Sequence, residues 1–128
     1  MYAYCMVSRP KLGGPGRHFG VAELDSAGHL TRVHELQRDG YREIAFSEFA
    51  QGRPTHTVDV IRGPLAITAR ARLSSIVGRP LRYHLAKLNC ESFARWVMYG
   101  SAESKQVTVA SVAAGLGALL LVLAKMEK

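Results

Sequence analysis

Residues 88–100 constrain the fold more than any other stretch, because they read as one complete helix with a cysteine at its start. Cys90, Phe93, Ala94 and Val97 recur at i, i+3, i+4 and i+7, the spacing of one apolar helical stripe. Asn89 stands at the N-cap, where its side-chain oxygen can accept from a free amide of the first turn. Glu91 lies where the helix dipole favours negative charge, and Gly100 is placed to end the helix. The thiol is therefore expected on the buried face in the first turn, where the dipole favours thiolate. A free cysteine is ordinarily a small buried hydrophobe. Cys90 calls for more only because histidine-bearing strands precede it.

Residues 2–7 are rich in β-prone side chains and predict a first strand with Cys5 in its core. Pro10 and Gly13-Gly14-Pro15-Gly16 then break the chain into a loop. Residues 18–24 form the next strand, Asp25-Ser26-Ala27-Gly28 is a turn signal, and residues 29–36 return. A three-residue loop pairs Asp25 with His29 and His34 with Gly20, so that His18 and His34 share a face with room beside Gly20. A four-residue loop puts the two histidines on opposite faces. Further strands are expected over 40–46 and around Val58 and Val60, with Ser47 capping a brief turn through Phe49 to Gly52. Ala66, Ala69, Leu73, Ile76 and Val77 mark a helix from about Leu65, stopped by Gly78 and Pro80. Residues 81–85 alternate as a last strand before the Cys90 helix. The order defines an α+β fold.

The chain has 128 residues, which suits one domain with a real core. Its formal charge is +7, yet the basic residues are scattered, in close pairs such as Arg70 with Arg72 and with no long run of Lys or Arg. Nucleic acid would require a basic stripe or aromatic interleaving, so that partner is not expected. A basic surface facing anionic lipid fits better. Two cysteines, Cys5 and Cys90, make no disulfide framework, and no Cys/His spacing of the zinc kind occurs. Neither a metal nor a cofactor is expected. The N-terminus lacks a basic region leading into an apolar core, so a reducing compartment is the expectation.

Residues 107–124 are uncharged, and at 18 residues reach the lower edge of a membrane-spanning helix. Lys125 and Lys128 follow as headgroup anchors. A buried core helix would need covering all round, which a domain this small can hardly supply. The expected organisation is a catalytic domain over 1–106 and a C-terminal hydrophobic helix over 107–128 that anchors the protein to a membrane, its body facing the cytosol.

Three segments then resemble one family. Arg17-His18-Phe19-Gly20-Val21 looks like its histidine motif, Val33-His34-Glu35-Leu36 like its second histidine strand, and Asn89-Cys90-Glu91-Ser92-Phe93 like its Asn-Cys-Glu-His-Phe box. Together they resemble the lecithin retinol acyltransferase-like proteins, with the small H-rev107-like phospholipase/acyltransferases closest in layout. These are the circularly permuted branch of the NlpC/P60 papain-like superfamily. The resemblance implies an antiparallel sheet packed on the nucleophile's helix, a nucleophilic Cys90, a general-base His18 and an orienting His34. Ser92 departs from the box, where a histidine is usual. The hairpin between the two histidines is also longer than in the family, which leaves His29 as a rival to His34.

The residue types support that chemistry directly. A thiolate attacks an ester carbonyl when an imidazole accepts its proton and a third group fixes the imidazole's tautomer. The backbone amide of Cys90, with Asn89 beside it, is placed to serve the oxyanion. An acyl-cysteine results, and water, an amine or a lysolipid then takes the acyl group. The leading expectation is a phospholipase/acyltransferase with phospholipid and membrane as partners. Its rivals are a non-catalytic membrane-remodelling protein and a cysteine amidase or peptidase of the NlpC/P60 kind. His84 shares a strand face with Arg82 and lies near Cys90 in sequence, which makes it the strongest outsider for a catalytic role. His56 is expected at the surface. Tyr83, Trp96 and Tyr99 are expected in packing, and Glu23 and Glu35 on sheet faces without a catalytic part.

Overall fold

The computed structural model describes residues 2–13, 15–77 and 89–101. Among the described residues, alternating and β-branched residues build five strands: β1 (Ala3–Pro10), β2 (Arg17–Leu24), β3 (Leu30–Gln37), β4 (Gly40–Ala45) and β5 (His56–Arg62). They form one antiparallel sheet in the order β4-β3-β2-β1-β5. Among the described residues it is accompanied by three helices: α1 (Phe46–Ala50), α2 (Pro64–Ile76) and α3 (Cys90–Tyr99). The architecture is α+β, as the sequence pattern implies.

Side chains at alternate positions sort the sheet into two apolar faces. Tyr4, Met6, Phe19, Val21, Leu36 and Ile61 pack against α2 and α3. Cys5, Val7, Ala22, Val33 and Ile44 form a second cluster closed by Phe49 of α1. β1 lies inside the sheet and contributes to both clusters, so residues 3–9 are buried without a break. α3 buries Phe93, Ala94 and Val97 completely, as α2 does Ala66 and Ala69. Each large apolar side chain so buried contributes about 1.5–3 kcal/mol. Arg72 of α2 donates to the Val97 carbonyl at 2.9 Å and ties the two helices together. Its guanidinium lies under Gly100, where an added Cβ would come within 2.8 Å of Nη2.

The β2–β3 hairpin starts in the three-residue register, with the Asp25 amide donating to the His29 carbonyl at 3.0 Å. The register does not hold. Leu24 pairs with Leu30, but Ala22 pairs with Val33 and Val21 with His34. One extra residue of β3 is accommodated there as a bulge, which moves every later side chain of β3 to the other face. His34 consequently lies opposite Val21, not Gly20. Gly20 serves a different purpose from the one expected: a Cβ there would meet Val33 Cγ1 at 2.5 Å and Phe49 Cε2 at 3.1 Å.

Three local expectations change. Ser47 does not cap α1; the helix starts after Ala45 without a side-chain cap, and Gln51 ends it in the left-handed region at φ 53°. Val77, counted in the α2 stripe, is exposed and lies past the helix end at Ile76. His56 lies at the exposed start of β5 as expected, while Tyr99 donates to Asp59 Oδ2 at 2.7 Å instead of packing inward. The expected strand over 81–85 with Tyr83 and His84, the stops at Gly78 and Pro80, and the apolar segment 107–128 lie outside the described residues. Among the described residues, no helix is long and apolar enough to cross a membrane.

Candidate functional site

The first turn of α3 is held by a reciprocal cap. The Ser92 amide donates to Asn89 Oδ1 at 2.8 Å, and the Asn89 amide donates to Ser92 Oγ at 2.7 Å. Ser92, the departure from the family-like box, is thus the N3 half of a capping box. The cap fixes the two residues between its halves, Cys90 and Glu91, and Cys90 is 2% exposed. The Cys90 Sγ lies 3.9 Å from the Arg17 carbonyl oxygen, beside the start of β2. The Asn89 side-chain oxygen is used by the cap. The Cys90 amide belongs to the first turn, whose amides have no intrahelical acceptor.

His18, the second residue of β2, lines the same cleft as Cys90, and the two side chains are close enough to shift each other's titration. The His18 ring also lies over Phe49 of α1, with centroids 5.5 Å apart. The Nε2 atom is 3.0 Å from Glu35 Oε2, so the carboxylate engages one ring nitrogen and Nδ1 is not used by it. Glu35 is completely buried, and its other oxygen, Oε1, accepts from Arg42 Nε at 3.2 Å, Arg42 Nη2 at 3.1 Å and Gln37 Nε2 at 3.2 Å. The carboxylate is divided between its supports and the imidazole. Cys90, His18 and Glu35 therefore stand in the order thiol, imidazole, carboxylate, the order of nucleophile, base and orienting group.

The electrostatics of the three are mutually consistent. Burial works against a charged Cys90, but the His18 hydrogen bond, the Phe19 amide and the charges of His18 and Lys11 outweigh it, so the thiol titrates below its ordinary value. Burial likewise opposes the His18 imidazolium, yet the hydrogen bonds and charges of Cys90 and Glu35 raise its pKa. Burial would raise the Glu35 pKa, and His18 with Arg42 hold it below the usual carboxylate range instead. Each shift favours an imidazolium flanked by thiolate and carboxylate.

An open cleft of about 440 Å³ leads to Cys90 and His18, lined also by Arg9, Lys11, Leu12, Leu36, Gln37, Arg38 and Asp39. Arg9 is the cross-strand neighbour of His18 and is fixed by donating to the Phe49 carbonyl at 2.6 Å and the Pro10 carbonyl at 3.1 Å.

Of the residues singled out from sequence, Cys90 and His18 come together, with Asn89 as the helix cap. His34 does not join them. Its Nε2 lies 2.7 Å from Glu23 Oε2 and its Nδ1 2.7 Å from the Tyr41 hydroxyl, on the other face of the sheet from Glu35. The β3 bulge is the reason, since it exchanges the faces of neighbouring residues His34 and Glu35. His29 is at the exposed hairpin tip beside Asp25, far along the strand from the thiol. Glu35 was the residue that sequence reasoning set aside. Its signal was present in the β3–β4 hairpin, where Glu35 and Arg42 face each other across the Arg38-Asp39 turn. A buried acid with a directly opposed arginine is a compensated charge.

Among the described residues, Glu23, His34 and Glu43 bring potential metal-ligating atoms within 4.8 Å of one another. Those groups are already engaged: His34 with Glu23 and Tyr41, and Glu43 with Arg32 at 2.5 Å. The chain matches no protein-family model, no curated protein and no solved structure.

Proposed function

We propose that this protein is a thiol-dependent acyl hydrolase or acyltransferase that takes an acyl chain from a glycerophospholipid through an acyl-cysteine. The observation that carries this reading is the series Cys90–His18–Glu35, with a depressed thiol at the first turn of a helix and an open cleft before it. The fold proposed is that of the permuted NlpC/P60 branch. Its support is the antiparallel sheet beside the nucleophile's helix, and a base that precedes the nucleophile in the chain. The motif likeness around His18 and Cys90 adds to it.

In this mechanism the Cys90 thiolate attacks the ester carbonyl while His18 holds the proton it has taken from sulfur. The Cys90 amide, at the positive end of α3, faces the developing oxyanion. Collapse breaks the ester bond, and the imidazolium gives its proton to the departing lysolipid oxygen. His18 then deprotonates water or an amine, which attacks the thioester and regenerates the thiol. Glu35 holds the ring in the tautomer that presents Nδ1 to sulfur and stabilises the imidazolium. The uncharged run 107–124 supports a membrane seat for the domain, which would bring lipid esters to the cleft.

The test is lysolipid release from phosphatidylcholine and phosphatidylglycerol vesicles, with and without a primary amine, by the full chain and by Cys90→Ala. Release by the unsubstituted chain alone supports the proposal, and N-acyl product identifies a transferase. Vesicle binding without release from either protein would leave membrane binding as the function and end the enzymatic reading.

A further inference from the structure

The cleft before Cys90 is asymmetric in charge. Its rims come from two turns at the same end of the sheet: the β1–β2 loop supplies Lys11 and Leu12, and the β3–β4 turn supplies Gln37, Arg38 and Asp39. Among the described lining residues, Arg9, Lys11 and Arg38 are basic and Asp39 is the one acid. The loop bearing Lys11 is braced, with the Lys11 amide donating to the Gly16 carbonyl at 3.3 Å and Arg53 Nη1 donating to the Lys11 carbonyl at 3.2 Å. Lys11 is close enough to the sulfur to help depress its pKa. Two apolar side chains also line the cleft, the fully buried Leu36 and Leu12, which is 64% exposed. A cation on each of the two turns, two leucines and a nucleophile lining one cleft suit a ligand that is anionic next to its acyl group.

We propose that the cleft selects an acyl donor carrying net negative charge on a phosphate, held between Lys11 on one rim and Arg38 on the other. The inference rests on the acyl-transfer reading above and specifies its donor. The two cations attract a phosphate and repel a quaternary ammonium, so a zwitterionic choline headgroup is disfavoured by the same groups that favour an anionic one. A soluble acyl thioester bearing phosphates, such as an acyl-coenzyme A, presents the same chemistry as an anionic lipid.

The test uses the full chain and monomeric donors, so that vesicle surface charge plays no part. The kcat/KM for dihexanoyl phosphatidylglycerol, dihexanoyl phosphatidylcholine and hexanoyl-coenzyme A is measured below micelle-forming concentrations. The same is done for the double variant Lys11→Ala/Arg38→Ala. A ratio of phosphatidylglycerol to phosphatidylcholine of about tenfold is expected, falling to within about twofold in the variant. Taking the ratio cancels any effect of Lys11 on the thiol itself. A coenzyme A thioester that outpaces both lipids and loses its advantage in the variant also supports the phosphate contact and identifies a soluble donor. Equal rates on the two lipids, or a preference that survives the double substitution, overturn the inference. An uncharged ester, p-nitrophenyl hexanoate, separates the two levels. If it acylates Cys90 while the lipids are not distinguished, only the donor assignment fails; if no ester acylates Cys90, the enzyme reading fails and takes the inference with it.

Discussion

Replacing Glu35 by glutamine removes a charge from the centre of the series without removing volume. The carboxylate accepts from His18, Arg42 and Gln37 in the folded protein and is completely buried. An amide keeps one acceptor oxygen and turns the other position into a donor that faces either His18 or Arg42. Facing His18 it loses one charge-assisted hydrogen bond, worth about 1.5–3 kcal/mol, and facing Arg42 it loses the three donors that Oε1 accepts. If that loss falls on the imidazolium, the rate of thiol attack drops by roughly 10- to 150-fold at about 1.36 kcal/mol per decade. The Arg42 side chain is 44% exposed, so water takes over much of its lost partner and the stability cost is smaller than for a sealed ion pair. The direction on the pH axis follows from the same contacts. Folding raises the His18 pKa, so its share of stability is full below about pH 6.5 and fades as pH rises through the folded value. Folding lowers the Glu35 pKa, so its share is present above about pH 4.3 and is lost as pH falls. With Glu35 neutral, His18 loses one raising influence and the alkaline limb of Cys90 reactivity moves to lower pH. The assay is the rate of Cys90 alkylation by iodoacetamide across pH, for Glu35→Gln and for His34→Asn. An unchanged limb in Glu35→Gln together with a displaced one in His34→Asn would refute the reasoning.

Four further outcomes are expected. The reactivity of Cys90 in the unsubstituted protein should extend below that of an ordinary thiol, because His18 and Lys11 hold its pKa down, and a titration followed by thiolate absorbance checks this. Cys5 is fully buried, and burial pushes its thiol up to about 11, so peptide mapping after brief alkylation at neutral pH should find Cys90 modified and Cys5 intact. Gly20→Ala places a Cβ 2.5 Å from Val33 Cγ1, and urea unfolding should show a loss of about 1–3 kcal/mol with displacement of Phe49 and the His18 ring above it. Asn89→Ala breaks the capping box, and a loss of about 0.5–2 kcal/mol is expected in the same experiment, with slower alkylation of Cys90 as the first turn loosens.

What could be read from the sequence was what local chemistry decides. The start of α3 was legible because Asn89 and Gly100 are strong end signals and because Cys90, Phe93, Ala94 and Val97 leave one face to bury. The strands and their turns were legible from alternation and from Gly and Pro. The third member of the site was not, because it depends on register. Val33 and Leu36 are both fully buried though they point to opposite faces, so the apolar pattern of β3 fits either register equally well. The bulge that decides between His34 and Glu35 follows from the fit of two whole strands, and no short motif announces it. The opposition of Glu35 and Arg42 across a two-residue turn was the one readable clue. Ser47 failed as a cap for a related reason: β4 runs into α1 directly, so the helix begins before the serine can stand outside it.

The measurement that reaches the central proposal most directly is rapid-quench peptide mass spectrometry of the full chain mixed with dihexanoyl phosphatidylglycerol. The account predicts a hexanoyl group on Cys90 that forms before lysolipid accumulates to steady state, is absent from His18→Ala, and disappears faster when a primary amine is added. Lysolipid released without an acyl-Cys90 peptide, or acylation of the same extent in His18→Ala, would contradict it.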